Sequence, residues 1–187
     1  MREKLKVFSN GLLKENPSLR LVLGVICLVP SLLLAVTNGV TAPIIEANTI
    51  RTANETRQAL LPAADTFSEI DVPAAVSDNV TEIYRADNGS GFVITAQAKG
   101  YGGDVPVMVA FNTEGSIEAV QFLDNSETPG LGQKVKTDAF QGQFSGMAAE
   151  AFTISDIDAL TGATISSRAA TTAINAAIAA YDTVKGA

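Results

Sequence analysis

The sequence predicts an α+β protein in which a single N-terminal transmembrane helix precedes a domain built from an antiparallel sheet and helices. Three features predict this. Residues 21–45 carry no charged side chain, which is typical of a membrane span. From residue 81, apolar and polar residues alternate in paired segments separated by glycine-rich turns. Near the C-terminus, an alanine-rich stretch has the apolar periodicity of a helix.

Residues 19–40 form the predicted transmembrane helix. As an α-helix they would be about 33 Å long, enough for a hydrocarbon core of about 30 Å. Membrane helices also tolerate a proline such as Pro30. One alternative is a buried core helix, but the run is longer and more uniformly apolar than such helices usually are. Another is a cleaved signal peptide, but the small residues 40–42 are followed directly by Pro43, and the apolar run is longer than a usual signal core. We therefore expect a retained anchor.

The distribution of charge predicts the orientation of this anchor. Residues 1–20 hold five basic and two acidic side chains, a net charge of +3, whereas the rest of the chain carries −10. The positive-inside rule then predicts a basic cytoplasmic N-terminus at residues 1–18, with everything after Val40 outside the cytoplasm. A net charge of −10 after residue 20 argues against nucleic-acid binding.

Two regions follow the predicted span. Residues 41–79 are expected to form a helical stalk and a connection, with an amphipathic helix over 43–62 and an irregular segment over 63–79. The helix should stop before Pro62, because the residue preceding a proline is biased away from helical backbone.

The domain predicted at residues 80–187 begins with two β-hairpins. The first joins segments 81–86 and 92–98, and the second joins 106–111 and 116–123. The first strand of the second hairpin is apolar throughout, which favours an inner position in the sheet.

Further elements follow the hairpins. Residues 126–134 contain Pro129 and two glycines and predict a tight turn. Residues 135–150 suggest a short helix or irregular segment, and 151–154 a final edge strand. A helix is expected from about residue 163 to 183, with a buried stripe formed by Ala170, Ile174, Ala177, Ile178 and Tyr181.

The start of this last helix is the candidate binding site. Thr161 is a good N-cap residue, and Gly162 and Ala163 leave room for a large group to approach the hydroxyl of Thr164. The first turn of a helix offers free N–H donors and a partial positive charge, which favour phosphate. The alternative is that this segment is an ordinary capped helix that binds no ligand.

Composition excludes several kinds of chemistry. The chain has no histidine, so the commonest general base and metal ligand is missing. Its one cysteine, Cys27, excludes an internal disulfide, an iron–sulfur cluster or a structural zinc site held by this chain alone. No nucleophile–base pair can be assembled. The residues therefore suggest a carrier or binding protein.

Three motifs, read together, resemble a known family. They are GYGGDVPVMVAF at 100–111, ETPGLGQK at 127–134 and DALTGATISS at 158–167. In this order they resemble the extracytoplasmic FMN-binding domain shared by the G subunit of the Rnf complex and the C subunit of the Na+-translocating NADH:quinone reductase. The resemblance covers most of residues 80–185, and the single anchor ahead of it also matches. The length of the chain favours the Rnf protein.

The resemblance implies that FMN is bound covalently, with its phosphate esterified to Thr164 by a separate flavin transferase that takes FMN from FAD. It also implies a set of further cofactor-binding positions. These are Asp158, Thr161, Gly162, Ala163 and Ser166 in the third motif, Glu127, Thr128, Leu131 and Gly132 in the second, and Tyr101 in the first.

The function implied is that of an electron-transfer subunit in a membrane-bound, ion-translocating ferredoxin:NAD+ oxidoreductase, which alone would catalyse no complete reaction. Its expected partners are the other membrane and peripheral subunits of the Rnf complex, the flavin transferase and the lipid bilayer. The expected location is the bacterial cytoplasmic membrane, with the C-terminal domain on the periplasmic side. Two alternatives stay open: the C subunit of the quinone reductase, and a membrane-tethered binding or sensor domain without a cofactor.

Overall fold

The computed structural model describes residues 17–74 and 76–186. Most of the predicted cytoplasmic segment, residues 1–16, lies outside the described residues. The chain divides into two compact units, Met1–Thr52 and Ala53–Ala187.

A continuous helix, α1, runs from Pro17 to Leu60. Within it, Leu21–Gly39 is long and apolar enough to cross a membrane, with a mean hydropathy of 2.3 and none of the segment buried. Pro30 does not interrupt the helix. Hydroxyl groups inside it are satisfied locally, since Ser31 Oγ donates to the carbonyl of Cys27 at 2.7 Å.

The second unit contains a five-stranded antiparallel sheet in which neighbouring strands are consecutive along the chain. The strands are β1 (Phe67–Ile70), β2 (Val80–Ala86), β3 (Gly91–Lys99), β4 (Asp104–Asn112) and β5 (Ile117–Phe122). Both predicted hairpins and the inner position of β4 are confirmed. Strand β1 falls in the segment predicted to be irregular. Only its first and last residues are apolar, but all four pair along β2, from Phe67 opposite Ala86 to Ile70 opposite Ile83.

The remaining elements are helical. Two are α-helices, α2 (Asp138–Gln141) and α3 (Thr164–Val184), and three are short 3-10 helices at Gly132–Lys136, Gly142–Phe144 and Ile154–Asp156. The predicted C-terminal helix is confirmed, and every residue of its predicted stripe is buried. The ring of Tyr181 stacks on that of Phe111 at 4.6 Å. This places α3 against one face of the sheet.

The other face of the sheet is covered by the end of α1 and the segment after it. Leu60, Leu61 and Ala64 pack there against side chains of β2, β3 and β4. Arg57 is almost fully buried, forms an ion pair with Glu82 at 2.9 Å and lies over the ring of Tyr84. Because both faces are covered, β3 and β4 are buried on both sides.

The edge strand predicted at residues 151–154 is absent from the described fold. The backbone N–H and C=O of Phe152 both pair with the side-chain amide of Asn175 on α3, at 3.2 and 2.7 Å. An amide side chain therefore satisfies the groups that a strand would have offered to a sheet. The start of β5 pairs instead with Met147, whose carbonyl accepts from the N–H of Ile117 at 2.8 Å.

Candidate functional site

A four-residue turn precedes α3, and we call residues 160–163 the Gly162 turn. The N–H of Ala163 donates to the carbonyl of Leu160 at 3.1 Å, and Gly162 has φ of 79°. A positive φ at the third position is the requirement of a type II turn, which glycine meets without strain. Ser167 fixes this turn to the helix, because its hydroxyl accepts from the N–H of Leu160 at 3.0 Å and donates to the carbonyl of Ala163 at 3.1 Å.

The predicted N-cap at Thr161 is wrong. The N-cap is Ala163, which offers no side-chain cap, and α3 begins at Thr164. Thr161 is the second residue of the Gly162 turn and is exposed. The first bond within the helix runs from the N–H of Ser167 to the carbonyl of Ala163 at 3.0 Å, so the N–H groups of residues 164–166 have no partner within the helix.

A second turn of the same kind lies in the ETPGLG motif, and we call residues 128–131 the Pro129 turn. The N–H of Leu131 donates to the carbonyl of Thr128 at 3.1 Å, and Gly130 has φ of 76°. Proline presets φ at the second position of such a turn. The tight turn predicted for this motif is confirmed, and it leads directly into the 3-10 helix Gly132–Lys136.

A buried carboxylate joins these parts. Glu127 is 2% exposed. One of its oxygens accepts from the N–H of Gly102 at 2.8 Å, and the other accepts from Ser166 Oγ at 2.5 Å. The loop around Tyr101, the Pro129 turn and the first turn of α3 therefore meet at a single side chain.

These segments enclose a cleft of about 520 Å³, which is within the range of about 300–1,000 Å³ usual for small-molecule sites. Nine of the eleven predicted site residues line it, together with Ile165. The lining residues are Tyr101, Glu127, Thr128, Leu131, Gly132, Gly162, Ala163, Thr164, Ile165 and Ser166. The structure thus brings residues from all three motifs to one place.

The rim of the cleft is apolar and open to solvent. Tyr101 is 73% exposed, Ile165 53% and Leu131 45%. A Cβ added to Gly162 would lie 3.7 Å from Leu131 Cδ2, so the leucine covers the Gly162 turn. Sequence reasoning missed Ile165. The sequence did contain a signal for it, because Ile165 is a large apolar residue that follows Thr164 and lies outside the buried stripe predicted for this helix.

Two predicted residues lie apart from this lining, namely Thr161 and Asp158. Asp158 is exposed, and its N–H donates to Gln143 Oε1 at 2.8 Å. It lines a separate depression with Gln143, Ser155, Asp156 and Ile157. Its predicted role in cofactor binding stays a prediction.

Charged groups near the two turns are held by different partners. Hydrogen bonds from the backbone and hydroxyl of Thr153 lower the pKa of Asp156. A hydrogen bond and the charge of Lys136 lower the pKa of Asp124. Within the described ranges, no group of three or more histidine, cysteine, aspartate or glutamate side chains could hold a metal ion.

The arrangement suits a ligand with an anionic end and a flat apolar body. Thr164 is exposed, lies in the cleft and stands at the first position of a 21-residue helix. The free N–H groups and the partial positive charge of that helix end favour a phosphate there. The apolar rim offers contact area for a ring system beside it.

Comparisons with known proteins place these features in context. The family model described as FMN-binding domain matches residues 100–179. The G subunit of the Na(+)-translocating ferredoxin:NAD(+) oxidoreductase complex from Acetobacterium woodii is 33% identical over 87% of this chain and 90% of its own. The G subunit of the proton-translocating complex from Clostridium ljungdahlii is 29% identical over 88% of this chain and 90% of its own.

A solved structure is also similar, that of the C subunit of the Na(+)-translocating NADH-quinone reductase from Parabacteroides distasonis. It is 17% identical, with a TM-score of 0.48, over 58% of this chain and 62% of that one.

Proposed function

The chain belongs to the G-subunit family of ion-translocating ferredoxin:NAD(+) oxidoreductase complexes, and we propose that it carries electrons within such a complex through an FMN bound in the cleft. Membership of this family indicates the reaction in which the chain takes part, and the match to an FMN-binding domain indicates the class of its cofactor. The flavin accepts and releases the electrons, while the protein binds and orients it. The chain alone completes no reaction, because the donor and acceptor reside on other subunits of the Rnf complex.

We further propose that the FMN phosphate is esterified to Thr164. The observation that carries this proposal is that Thr164 is an exposed hydroxyl in the cleft at the first position of a long helix. The other two hydroxyls considered in the third motif are less suitable. Thr161 lies outside the cleft lining, and Ser166 is buried and bonded to Glu127.

Attachment requires a phosphoryl donor and a separate flavin transferase. With FAD as donor, the oxygen of Thr164 loses its proton and forms a bond to the phosphorus of the FMN half. The pyrophosphate bond breaks, and AMP leaves. The open rim of the cleft supports this proposal, since it leaves Thr164 accessible to the transferase on the folded domain. Asp158, outside the cleft, is available for recognition by that enzyme.

The neighbouring residues then have separate tasks. The N–H groups at the start of α3 would hold the phosphate oxygens of a bound FMN, and the helix end would stabilise their negative charge. Tyr101, Leu131 and Ile165 offer apolar surface to the isoalloxazine ring and exclude water from the part that they cover.

The protein is anchored in a membrane by the segment Leu21–Gly39. We propose that the basic segment 1–18 lies in the cytoplasm and that the acidic FMN-binding domain lies on the periplasmic side of the bacterial cytoplasmic membrane, as the positive-inside rule predicts. The lipid bilayer and the membrane subunits of the complex are then its neighbours.

The ester is tested by co-expressing the full chain with a flavin transferase. After denaturation in SDS, the wild-type band should fluoresce as a flavin, and the peptide containing Thr164 should carry the added mass of FMN. The variant Thr164→Val should be dark. Thr161→Val is the matched control and should stay bright, because Thr161 is exposed and outside the cleft lining. A bright Thr164→Val band would overturn the assignment.

A further inference from the structure

Glu127 is the one buried carboxylate among the residues whose side chains the structure describes. It accepts hydrogen bonds from two neutral donors, the N–H of Gly102 and the hydroxyl of Ser166. Among the same residues, no basic side chain forms an ion pair with it. A buried carboxylate without a cation depends on such hydrogen bonds for its stability, so both oxygens are committed to the protein.

The backbone is adapted to this side chain. A Cβ on Gly100 or on Gly132 would collide with an oxygen of the Glu127 carboxylate, and a Cβ on Gly102 would collide with the carbonyl of Ser126. Glycine at these three positions therefore lets two loops close directly around the carboxylate. The first loop carries Tyr101, and the second carries Leu131.

We propose that Glu127 is a positioning residue that fixes the spacing between the walls of the flavin cleft. Through Gly102 it holds the loop of Tyr101, through its own chain it holds the Pro129 turn, and through Ser166 it holds the first turn of α3. Its carboxylate acts on the flavin through these walls and not by direct proton or electron transfer. This inference rests on the proposed function only for the identity of the cleft's occupant.

Two substitutions of Glu127 separate geometry from charge. Glu127→Gln keeps the length and both contacts, because the amide oxygen accepts from Gly102 and the amide N–H₂ donates to Ser166, whose hydroxyl turns to accept. Glu127→Asp keeps the charge but is one methylene shorter, so it cannot reach both donors. A positioning role predicts that Glu127→Gln preserves the arrangement of the cleft walls and that Glu127→Asp does not.

The first measurement uses the full chain in detergent without flavin. Hydrogen exchange of the Gly102 amide should stay close to wild type in Glu127→Gln. In Glu127→Asp it should become at least about tenfold faster, because the shorter side chain no longer reaches this amide and its hydrogen bond is lost, whereas Glu127→Gln keeps an acceptor for it. The second measurement uses the FMN-loaded chain. The fluorescence lifetime of the flavin reports its distance from Tyr101, and its anisotropy reports its freedom of motion. Both should change in Glu127→Asp but not in Glu127→Gln.

Ser166→Ala tests one link alone and replaces Glu127→Asp if that variant does not fold. It should leave exchange at Gly102 unchanged but alter the flavin lifetime, because only the connection to α3 is removed. The inference is overturned if Glu127→Gln changes the flavin lifetime as much as Glu127→Asp or Ser166→Ala does. That result would show that the charge of Glu127, and not its position, affects the flavin. It is also overturned if neither Glu127→Asp nor Ser166→Ala changes any signal. If the wild-type chain carries no flavin, the proposed function fails while the exchange experiment still decides the role of Glu127.

Discussion

The Pro129 turn and the Gly162 turn are built alike. In each, the carbonyl of the first residue accepts from the N–H of the fourth at 3.1 Å, and a glycine at the third position has φ of 76° or 79°. Each leads at once into a helix. The helices differ, since the first is the five-residue 3-10 helix Gly132–Lys136 and the second is the 21-residue α3. Similar turns thus deliver different groups to the same cleft.

We propose that this difference divides the binding of the flavin between the two turns. A long α-helix carries a partial positive charge at its N-terminus, and α3 is fixed by its alanine-rich face against the sheet. A short 3-10 helix has poorer hydrogen-bond geometry, and its few peptide units sum to a smaller dipole. We therefore assign the phosphate to the Gly162 turn and the apolar contact of Leu131 to the Pro129 turn.

The largest effect is expected at Gly132, where the Pro129 turn meets Glu127. In Gly132→Ala, the new methyl group would overlap the Glu127 carboxylate and lie 2.6 Å from Ser166 Oγ. Overpacking of this kind costs about 1–3 kcal/mol of unfolding free energy. Urea unfolding of the full chain in detergent, followed by the near-ultraviolet circular dichroism of its tyrosines, measures the loss.

Gly142→Ala is the control for this substitution. Gly142 has φ of −63°, and a Cβ there meets nothing within 4 Å. The control should be neutral or slightly stabilising. If Gly132→Ala also stays within about 0.5 kcal/mol of wild type, the range of ordinary surface changes, the close packing around Glu127 is refuted.

A smaller effect is expected from alanine at the third position of each turn. Gly130→Ala and Gly162→Ala should each lower the free energy of unfolding by about 1 kcal/mol, because both place a Cβ in left-handed backbone. The space is open at Gly130 and offers only ordinary contact at Gly162, so strain is the main cost at both. Flavin attachment should slow only in Gly162→Ala, since only that turn positions Thr164. Equal slowing in both variants would contradict the division of work.

Much of this comparison was accessible from local sequence. The proline and glycines of the ETPGLG motif predicted the Pro129 turn, and the apolar stripe predicted α3, because both depend on residues close together in the chain. The capping rule chose Thr161 and was wrong, because the positive φ of Gly162 moves the helix start to Thr164. The family resemblance, not the local pattern, singled out Thr164.

Features that depend on distant partners were missed. The link between Ser166 and Glu127 spans 39 residues, and the amide of Asn175 that replaces the predicted strand lies 23 residues from Phe152. Strand β1 was missed for the same reason, because its four residues become a strand only by pairing with β2. Periodicity reports which residues are buried, but it does not report which polar groups will meet.

The smallest effect distinguishes the aspartates that precede the two turns. Asp124 is held by Lys136 at 2.5 Å, and Asp156 by the neutral donors of Thr153. Both have a pKa below the ordinary value, so each stabilises the fold above about pH 4 and loses that contribution as the pH falls through its lowered pKa. Salt screens exposed ion pairs far more than hydrogen bonds from neutral groups.

Raising the salt concentration to about 1 M, where the Debye length is about 3 Å, should therefore move the pKa of Asp124 towards its ordinary value and leave that of Asp156 nearly unchanged. Carboxyl-carbon NMR titrations of the full chain at low and high salt measure both. Lys136→Met should raise the pKa of Asp124 alone, and Thr153→Val that of Asp156 alone. Equal salt-induced changes in the pKa of the two aspartates would contradict this prediction. They would show that both carboxylates are stabilised in the same way and that the two turns differ only in the helices that follow them.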